Sequence, residues 1–179
     1  YPKVGDPNPT VRLGVLDAGN QKVKWITPFP ESDAPNVYLP RFGWVNAGVV
    51  WAQVLNRRQD QIDLYFIDVS SGRTRKVLSE SSDAWINVND DFRILKSGPD
   101  GPSRFLWTSW RDGHTHIYLY SFNAQDPAAA DAKLDRQLTQ GDFEVVSVDA
   151  VSEASSQVFF TATTDGSRQQ HVFSVQLDG

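Results

Sequence analysis

Two neighbouring segments decide the fold: FLW at residues 105–107 and HIYLY at residues 116–120. Both read as β-strands, because aromatic and β-branched residues favour strands and the second segment alternates with period two. The same layout of an aromatic strand, a polar turn and a second strand occurs in two further copies: VVW at 49–51 with DLYFID at 63–68, and VFF at 158–160 with HVFSV at 171–175. Aligned on Tyr65, Tyr118 and Phe173, the copies lie 53 and 55 residues apart. A repeat of about 50 residues with four short strands is typical of a β-propeller blade.

The repeat therefore predicts an all-β fold, a partial β-propeller of about three and a half four-stranded blades. With strands labelled A to D from the centre outward, residues 11–27 are expected to supply strands C and D of one blade. Residues 39–78 and 84–139 are expected to form two full blades, and residues 144–177 strands A to C of a fourth. A β-sandwich would not explain the long period. Residues 126–136, the nearest helical candidate, are expected to form at most a short helical turn on a loop.

The length and the composition suggest that this chain is a piece of a longer protein. It has 179 residues and no methionine, and closed propellers need about four to eight blades. We therefore expect residues 1–179 to be a fragment of one propeller domain, although removal of a signal peptide would also remove the initiator methionine. Both ends fall inside a blade and would leave sheet edges bare. The isolated chain is therefore predicted to self-associate or to form a strained partial ring.

The composition excludes several classes of function. The net charge is −5, from 17 basic and 22 acidic residues, and this argues against a nucleic-acid partner, since phosphate binding needs clustered positive charge. The longest apolar runs are far shorter than the roughly 18 residues of a membrane-spanning helix, so no membrane span is expected. Because cysteine is absent, there is no disulfide framework and no thiolate for metal binding or catalysis.

The histidines are the first candidates for chemistry. His114 and His116 lie two residues apart, so on a strand both would face the same side, which is compatible with metal ligation. However, His116 and His171 hold the same place in successive copies of the repeat, and Asp63 holds it in the earlier copy. A polar residue at that place in every blade is expected to bond the neighbouring turn. The favoured interpretation is therefore structural, with metal binding and catalysis as alternatives.

Carboxylates and tryptophans are the other candidates. Asp90 and Asp91 would point to opposite faces of an extended segment, so a turn is favoured over a paired acid and base. Of the six tryptophans, Trp51 and Trp107 are expected at equivalent places of the repeat, which favours blade-to-blade packing. A sugar-stacking or peptide-binding surface that includes Trp85 and Trp110 is the alternative.

Neither a Gly-x-Ser-x-Gly nucleophile elbow nor a phosphate-binding glycine loop occurs in the sequence. We therefore predict no catalytic, no cofactor-binding and no metal-binding residue in this chain, and no cofactor.

Three segments carry a resemblance to a known family. YPKVG at residues 1–5, followed by NPTV at residues 8–11, resembles the Y-P-K-x-G-x-x-N-P-x-V segment in the propeller of the dipeptidyl peptidase IV family of serine exopeptidases. WINVND at residues 85–90 and the stretch from FLWTS to GHTHIY at residues 105–118 resemble the W-I-N-V and G-x-x-H-[IL]-Y blade segments of that family. The order and the spacing hold over essentially the whole chain.

The resemblance implies an N-terminal eight-bladed propeller joined to a C-terminal α/β-hydrolase domain of the same chain. The parent would remove dipeptides after a penultimate proline or alanine. The resemblance implies that its catalytic serine, aspartate and histidine lie after residue 179. The glutamates that grip the substrate ammonium would precede the Tyr-Pro-Lys segment, so no catalytic position carries over. The parent is expected to be a homodimer, with residues 28–40 near its dimerisation arm, and residues 85–92 are expected to approach the peptide.

The leading functional hypothesis is thus a non-catalytic propeller region that lines the substrate-access cavity and positions the peptide. The alternative is a stand-alone propeller that serves as a protein-binding scaffold, because the fold alone does not fix the function. Carbohydrate cleavage has only Asp90 and Asp91 to support it. The compartment is left open, with a periplasmic or secreted location slightly favoured over a cytoplasmic one.

Overall fold

The computed structural model describes residue 3 and residues 5–96, 103–164 and 168–178. Tyr1, Pro2 and Val4 of the Tyr-Pro-Lys segment therefore lie outside the described residues. The chain divides into two compact units. Unit 1 comprises Tyr1–Val88 and Asp126–Asp131, and unit 2 comprises Asn89–Gln125 and Ala132–Gly179.

Unit 1 holds a two-stranded and a four-stranded antiparallel sheet. The first sheet pairs β1 with β2, and the second has the order β3-β4-β5-β6, so β3 and β6 are edge strands. The strands are β1 (Leu13–Leu16), β2 (Val23–Ile26), β3 (Val37–Asn46), β4 (Val49–Asn56), β5 (Gln61–Asp68) and β6 (Thr74–Ser81). A short 3₁₀ helix, Glu31–Asn36, precedes β3. The two sheets pack face to face, with Leu13 and Ile26 buried against Val50, Ala52 and Ile67.

Unit 2 holds a four-stranded and a three-stranded antiparallel sheet, with the orders β10-β9-β8-β7 and β11-β12-β13. The strands are β7 (Arg93–Leu95), β8 (Arg104–Ser109), β9 (His116–Ser121), β10 (Lys133–Gln137), β11 (Val145–Ser152), β12 (Gln157–Thr164) and β13 (Gln169–Gln176). Buried aliphatic side chains of both sheets form one core, in which Leu106 and Ile117 pack with Val158 and Phe160. Unit 2 therefore also buries one sheet face against the other.

The conformation of the hairpin turn between β5 and β6 is set by side chains of the turn itself. Asp68 ends β5, and its carboxylate accepts hydrogen bonds from the backbone N–H of Ser71 and from the hydroxyls of Ser70 and Ser71, while Gly72 takes a positive φ of 77°. These bonds, the Ser71 backbone bond foremost, lower the pKa of Asp68 to about 2. A short polar side chain that bonds its own backbone, with glycine at the left-handed position, sets the turn before β6.

The fold prediction is confirmed: the described residues form sheets of two, four, four and three antiparallel strands, which amount to about three and a half blades. Residues 127–130 form a turn and a bend, as expected, with the Ala129 N–H donating to the Asp126 carbonyl, whereas residues 133–136 of the same predicted segment lie on β10. The 3₁₀ helix at Glu31–Asn36 was not predicted. Pro40, later in the same Pro-rich stretch, lies on the edge strand β3 at a register shift, where its missing N–H costs no sheet bond. In the part of the chain that the structure describes, no helix is long and apolar enough to span a membrane.

Candidate functional site

Glu144, one residue before β11, is a polar side chain of unit 2 with several hydrogen-bond partners. Its carboxylate accepts hydrogen bonds from the Thr115 backbone N–H at 2.6 Å and from the Trp110 indole N–H at 3.3 Å. The Nδ1 atom of His114 lies 3.0 Å from its Oε1 atom. Partial burial alone would raise the pKa of Glu144, but the bonds from Thr115, His114 and Trp110 outweigh it and hold the pKa below its ordinary value. Glu144 is therefore ionised at neutral pH.

The backbone of Glu144 fixes the other side of this cluster. Its N–H donates to the hydroxyl of Thr163 at 2.9 Å, and its carbonyl accepts from the Thr163 N–H at 2.9 Å. Thr163 lies on β12, so Glu144 ties the β8–β9 turn to the second sheet of unit 2. His114 held by a carboxylate is half of a nucleophile-activating arrangement, but the two hydroxyls of the cluster, on Thr115 and Thr163, are both bonded to Glu144. The cluster positions a turn and presents Trp110, which is 60% exposed.

His116 is the buried histidine of the predicted pair, with 1% of its surface exposed. Its Nε2 atom lies 3.1 Å from the Gly141 carbonyl, which can only accept, so Nε2 carries the proton. Its Nδ1 atom then accepts from the Thr139 hydroxyl at 3.2 Å, and Thr139 in turn accepts from the Ile117 N–H at 2.9 Å. Both ring nitrogens are used by the chain after β10. The prediction that His116 bonds the neighbouring turn is confirmed.

The same prediction is wrong in detail for the two positions that match His116. His171 is exposed, and its Nε2 atom lies 3.1 Å from the Gln169 side chain on its own strand. Asp63 accepts from the hydroxyl of Ser79 on β6 and from Gln61 on β5. At these two positions the hydrogen-bond partner lies on the same strand or on the adjacent strand, and not in the neighbouring turn. Within the described ranges, no group of three or more histidine, aspartate or glutamate side chains is arranged to hold a metal ion.

Asp90 and Asp91 lie in a turn before β7, as the favoured interpretation expected. The Oδ1 atom of Asp91 accepts from the Val148 N–H on β11 at 2.9 Å, and burial raises the pKa of Asp91. Asp90 contributes its backbone carbonyl, which accepts from the Arg93 guanidinium at 2.8 Å. The two residues therefore hold the start of β7 rather than form an acid and base pair.

The tryptophan prediction needs a correction. Trp107 is fully buried and meets Phe92 edge-on at 6.1 Å. It pairs across the hairpin with Tyr118, whereas Tyr65 pairs with Ala52 and not with Trp51. Because side chains alternate along a strand, a shift of one residue turns a side chain to the other face of the sheet. Trp51 and Trp107 are therefore not equivalent.

The Trp51 indole packs against the backbone of Gly43, its partner on β3. A Cβ atom added at Gly43 would come within 2.8 Å of the indole Nε1 atom of Trp51. Glycine at this position lets the ring cover the backbone of the neighbouring strand.

Trp85 lies in unit 1, in the segment after β6. Its indole N–H donates to the Asn87 side chain at 2.9 Å, and the Ile86 N–H donates to the Gln59 carbonyl at 2.8 Å in the β4–β5 turn. The ring itself is 54% exposed. The segment is thus held in place while it presents an aromatic face.

Asn89 follows Trp85 in the chain but belongs to unit 2. Its side chain is buried, donates to the Thr108 carbonyl at 2.8 Å and accepts from the Thr108 hydroxyl at 3.1 Å. The W-I-N-V-N segment therefore has fixed contacts in both parts of the chain. Sequence reasoning did not single out Glu144, Thr139 or Thr108, because their partners are known only once the strands pair.

Comparison with known proteins assigns the chain to a family. The sequence model described as "Dipeptidyl peptidase IV (DPP IV) N-terminal region" matches residues 1–179. Among curated relatives, probable dipeptidyl peptidase 4 of Emericella nidulans is 28% identical over 184 residues, with 98% of this chain and 22% of the relative covered. Dipeptidyl peptidase 4 of Trichophyton tonsurans is 30% identical, with 99% of this chain and 22% of the relative covered.

Solved structures agree on the fold. The crystal structure of Porphyromonas gingivalis dipeptidyl peptidase 4 superposes with a TM-score of 0.79 at 24% identity, with 100% of this chain and 24% of that chain covered. The chain thus spans about a fifth to a quarter of the length of the relatives that it matches. The family model matches all 179 residues, and the four antiparallel sheets agree with the fold of the solved relative. The chain belongs to the dipeptidyl peptidase IV N-terminal region family.

Proposed function

We propose that this chain is the non-catalytic propeller portion of a dipeptidyl-peptidase-IV-like serine exopeptidase. The observation that carries the proposal is the family match over residues 1–179, with relatives that are named dipeptidyl peptidases. In the parent, the region lines the substrate-access cavity. There it positions peptides whose N-terminal dipeptide is cleaved after proline or alanine.

The hydrogen bonds of the candidate residues support a non-catalytic role. His116, Glu144 and Asp91 each bond to backbone groups of a neighbouring turn or strand. A side chain committed in this way fixes the geometry of the turn or strand that it bonds. The catalytic groups of the parent then belong to a C-terminal α/β-hydrolase domain.

Exposed apolar side chains support self-association of the isolated chain. Leu16, Val23 and Trp25 are exposed on one face of the β1–β2 sheet, and Val172 is exposed on β13. Large apolar patches on a sheet face favour association with another sheet. Light scattering at rising concentration is expected to show oligomers of the chain alone. A monomer at the highest concentration would contradict this part of the proposal. The parent is proposed to be a homodimer.

The activity test compares this chain with the full-length parent. The parent is expected to hydrolyse a Gly-Pro chromogenic substrate, and the chain alone is expected not to. Activity of the purified chain would contradict its non-catalytic assignment, and an inactive folded parent would contradict the family activity. A parent without activity that captures other proteins would favour the binding-scaffold alternative.

Substrate positioning is tested by Trp85→Ala in the full-length protein. If this exposed, anchored indole faces the peptide, the variant raises KM for peptides that extend beyond the cleaved dipeptide while kcat stays unchanged. Leu134→Ala, at an exposed apolar residue of β10, is the matched control and is expected to leave both constants unchanged. An unaltered KM for Trp85→Ala would exclude this residue from the peptide path.

A further inference from the structure

The connection between β9 and β10 is unusual in this chain. It covers residues 122–132, whereas the equivalent connection between β5 and β6 covers only residues 69–73. Its middle part, Asp126–Asp131, packs as part of unit 1, although the chain on both sides of it belongs to unit 2. A segment that leaves its own sheet in this way must be held by contacts of its own.

Two ion pairs hold the ends of this segment. Asp126 pairs with Arg73, just before β6, and Asp131 pairs with Arg75 on β6. The Arg75 guanidinium contacts Asp131 Oδ1 through Nη2 at 2.6 Å and donates from Nε to the same atom at 2.8 Å. The hydrogen bond and charge of Asp126 raise the pKa of Arg73. Because Arg73 and Arg75 are two residues apart, both guanidinium groups lie on one side of the extended chain.

Small apolar residues separate the two aspartates along the chain. Pro127 and Ala128 are buried, and the Ala129 N–H closes a turn on the Asp126 carbonyl at 3.0 Å. The sequence DPAAAD at residues 126–131 thus places an apolar stretch between two carboxylates. β6, which carries Arg75, is an edge strand of its sheet. Loops that cover an edge strand protect it from pairing with other chains.

The strength of these contacts depends on salt. The paired side chains are between 40% and 68% exposed, so solvent and ions reach them. Ion pairs of this kind contribute little each and are screened as ionic strength rises. Backbone hydrogen bonds between β5 and β6 do not have this dependence. We propose that residues 126–131 form a salt-sensitive strap that closes over the start of β6 through the two ion pairs and opens while the sheet beneath it stays paired.

Hydrogen exchange measured by mass spectrometry on the whole chain tests the strap. The measurement compares about 0.01 M with about 1 M NaCl, where the Debye length falls from about 30 Å to about 3 Å. The Ala129 amide, whose N–H bonds the Asp126 carbonyl, is expected to exchange roughly two- to thirty-fold faster at high salt, which is the effect of losing two exposed ion pairs. Amides of β5 and β6 are expected to keep their protection.

The Asp126→Asn/Asp131→Asn double variant is expected to exchange fast in the strap at low salt and to lose the salt response, after correction for intrinsic rates. Arg104→Gln is the matched control, because it removes the ion pair with Asp178 in unit 2 at 3.1 Å. It is expected to leave strap exchange unchanged. The charge-exchanged variant Arg73→Asp/Arg75→Asp/Asp126→Arg/Asp131→Arg is expected to restore low-salt protection.

Three results would overturn the strap. One is exchange of the Ala129 amide that does not depend on salt. Another is wild-type exchange in the Asp126→Asn/Asp131→Asn variant. The third is equal acceleration of β6 at high salt, which would show that the strap opens only when the sheet does.

Discussion

Thr139→Val is the change that most directly tests the buried hydrogen bonds of unit 2. Thr139 is buried, accepts from the Ile117 N–H at 2.9 Å and donates to His116 Nδ1. Valine keeps the shape of the side chain but removes the hydroxyl, so a backbone N–H and a ring nitrogen lose their partner together. Each unsatisfied buried group costs about 1–3 kcal/mol, so for the two groups we expect a total loss of about 2–6 kcal/mol. This is a large part of the roughly 5–15 kcal/mol that stabilises a domain.

The assay is urea unfolding combined with native-state hydrogen exchange at the Ile117 amide. Thr161→Val is the matched control, because its hydroxyl donates to Asp149 at the surface, and a change below about 0.5 kcal/mol is expected there. Thr139→Ser keeps the hydroxyl and should recover most of the loss. If Thr139→Val costs no more than the control, the hydrogen-bond chain from Ile117 through Thr139 to His116 does not stabilise unit 2.

Three further predictions concern single positions. Gly43→Ala is expected to destabilise unit 1 by about 1–3 kcal/mol, because its Cβ would lie 2.8 Å from the Trp51 ring; thermal unfolding that matches Gly48→Ala, where no atom lies closer than 3.9 Å, would contradict this. The pKa of Asp68 is about 2 in the folded chain, below the ordinary value of an aspartate, so its contribution to stability is full above pH of about 4 and is lost as pH falls toward 2. Asp68→Asn should flatten that part of the stability curve, and an NMR-detected pKa near the ordinary value would refute the cause. The pKa of Asp91 is raised, so the stability that its protonated carboxyl contributes is lost as pH rises through that pKa. Asp91→Asn does not titrate, and the variant is therefore expected to gain stability relative to the wild type between pH 3 and neutral pH. Equal pH profiles of stability for the two proteins would contradict the burial of this carboxyl.

Strands that pair in the middle of each sheet could be predicted closely. β5 and β9 begin and end within two residues of the segments DLYFID and HIYLY, because β-branched and aromatic residues and a period of two mark these strands in the sequence. β7 has only three residues, Arg93–Leu95, too few for a periodic signal. The register between β4 and β5 was also out of reach, because the hairpin turns differ in length between the copies of the repeat. That is why Trp51, rather than Ala52, was aligned with Trp107.

The candidate site was less accessible from sequence than the fold. His116 was found because its polar character recurs at a fixed place in the repeat. Glu144 and Thr139 carry no such signal, since their partners lie 29 and 22 residues away. Among the described residues, no buried side-chain nitrogen or oxygen atom is left without a hydrogen-bond partner, and that condition is met by side chains which the strand pairing brings together.

The sequence by itself determined the all-β repeat, the family and the lack of a nucleophile elbow, because strand periodicity, segment order and short motifs are local properties of the chain. Only the tertiary structure decided which polar groups pair. Glu144 meets Thr115, and Arg73 meets Asp126 across 53 residues, only after the sheets have formed. Hydrogen bonds and ion pairs need their atoms within about 3–4 Å, and such distances between remote residues are fixed by the fold rather than by sequence spacing.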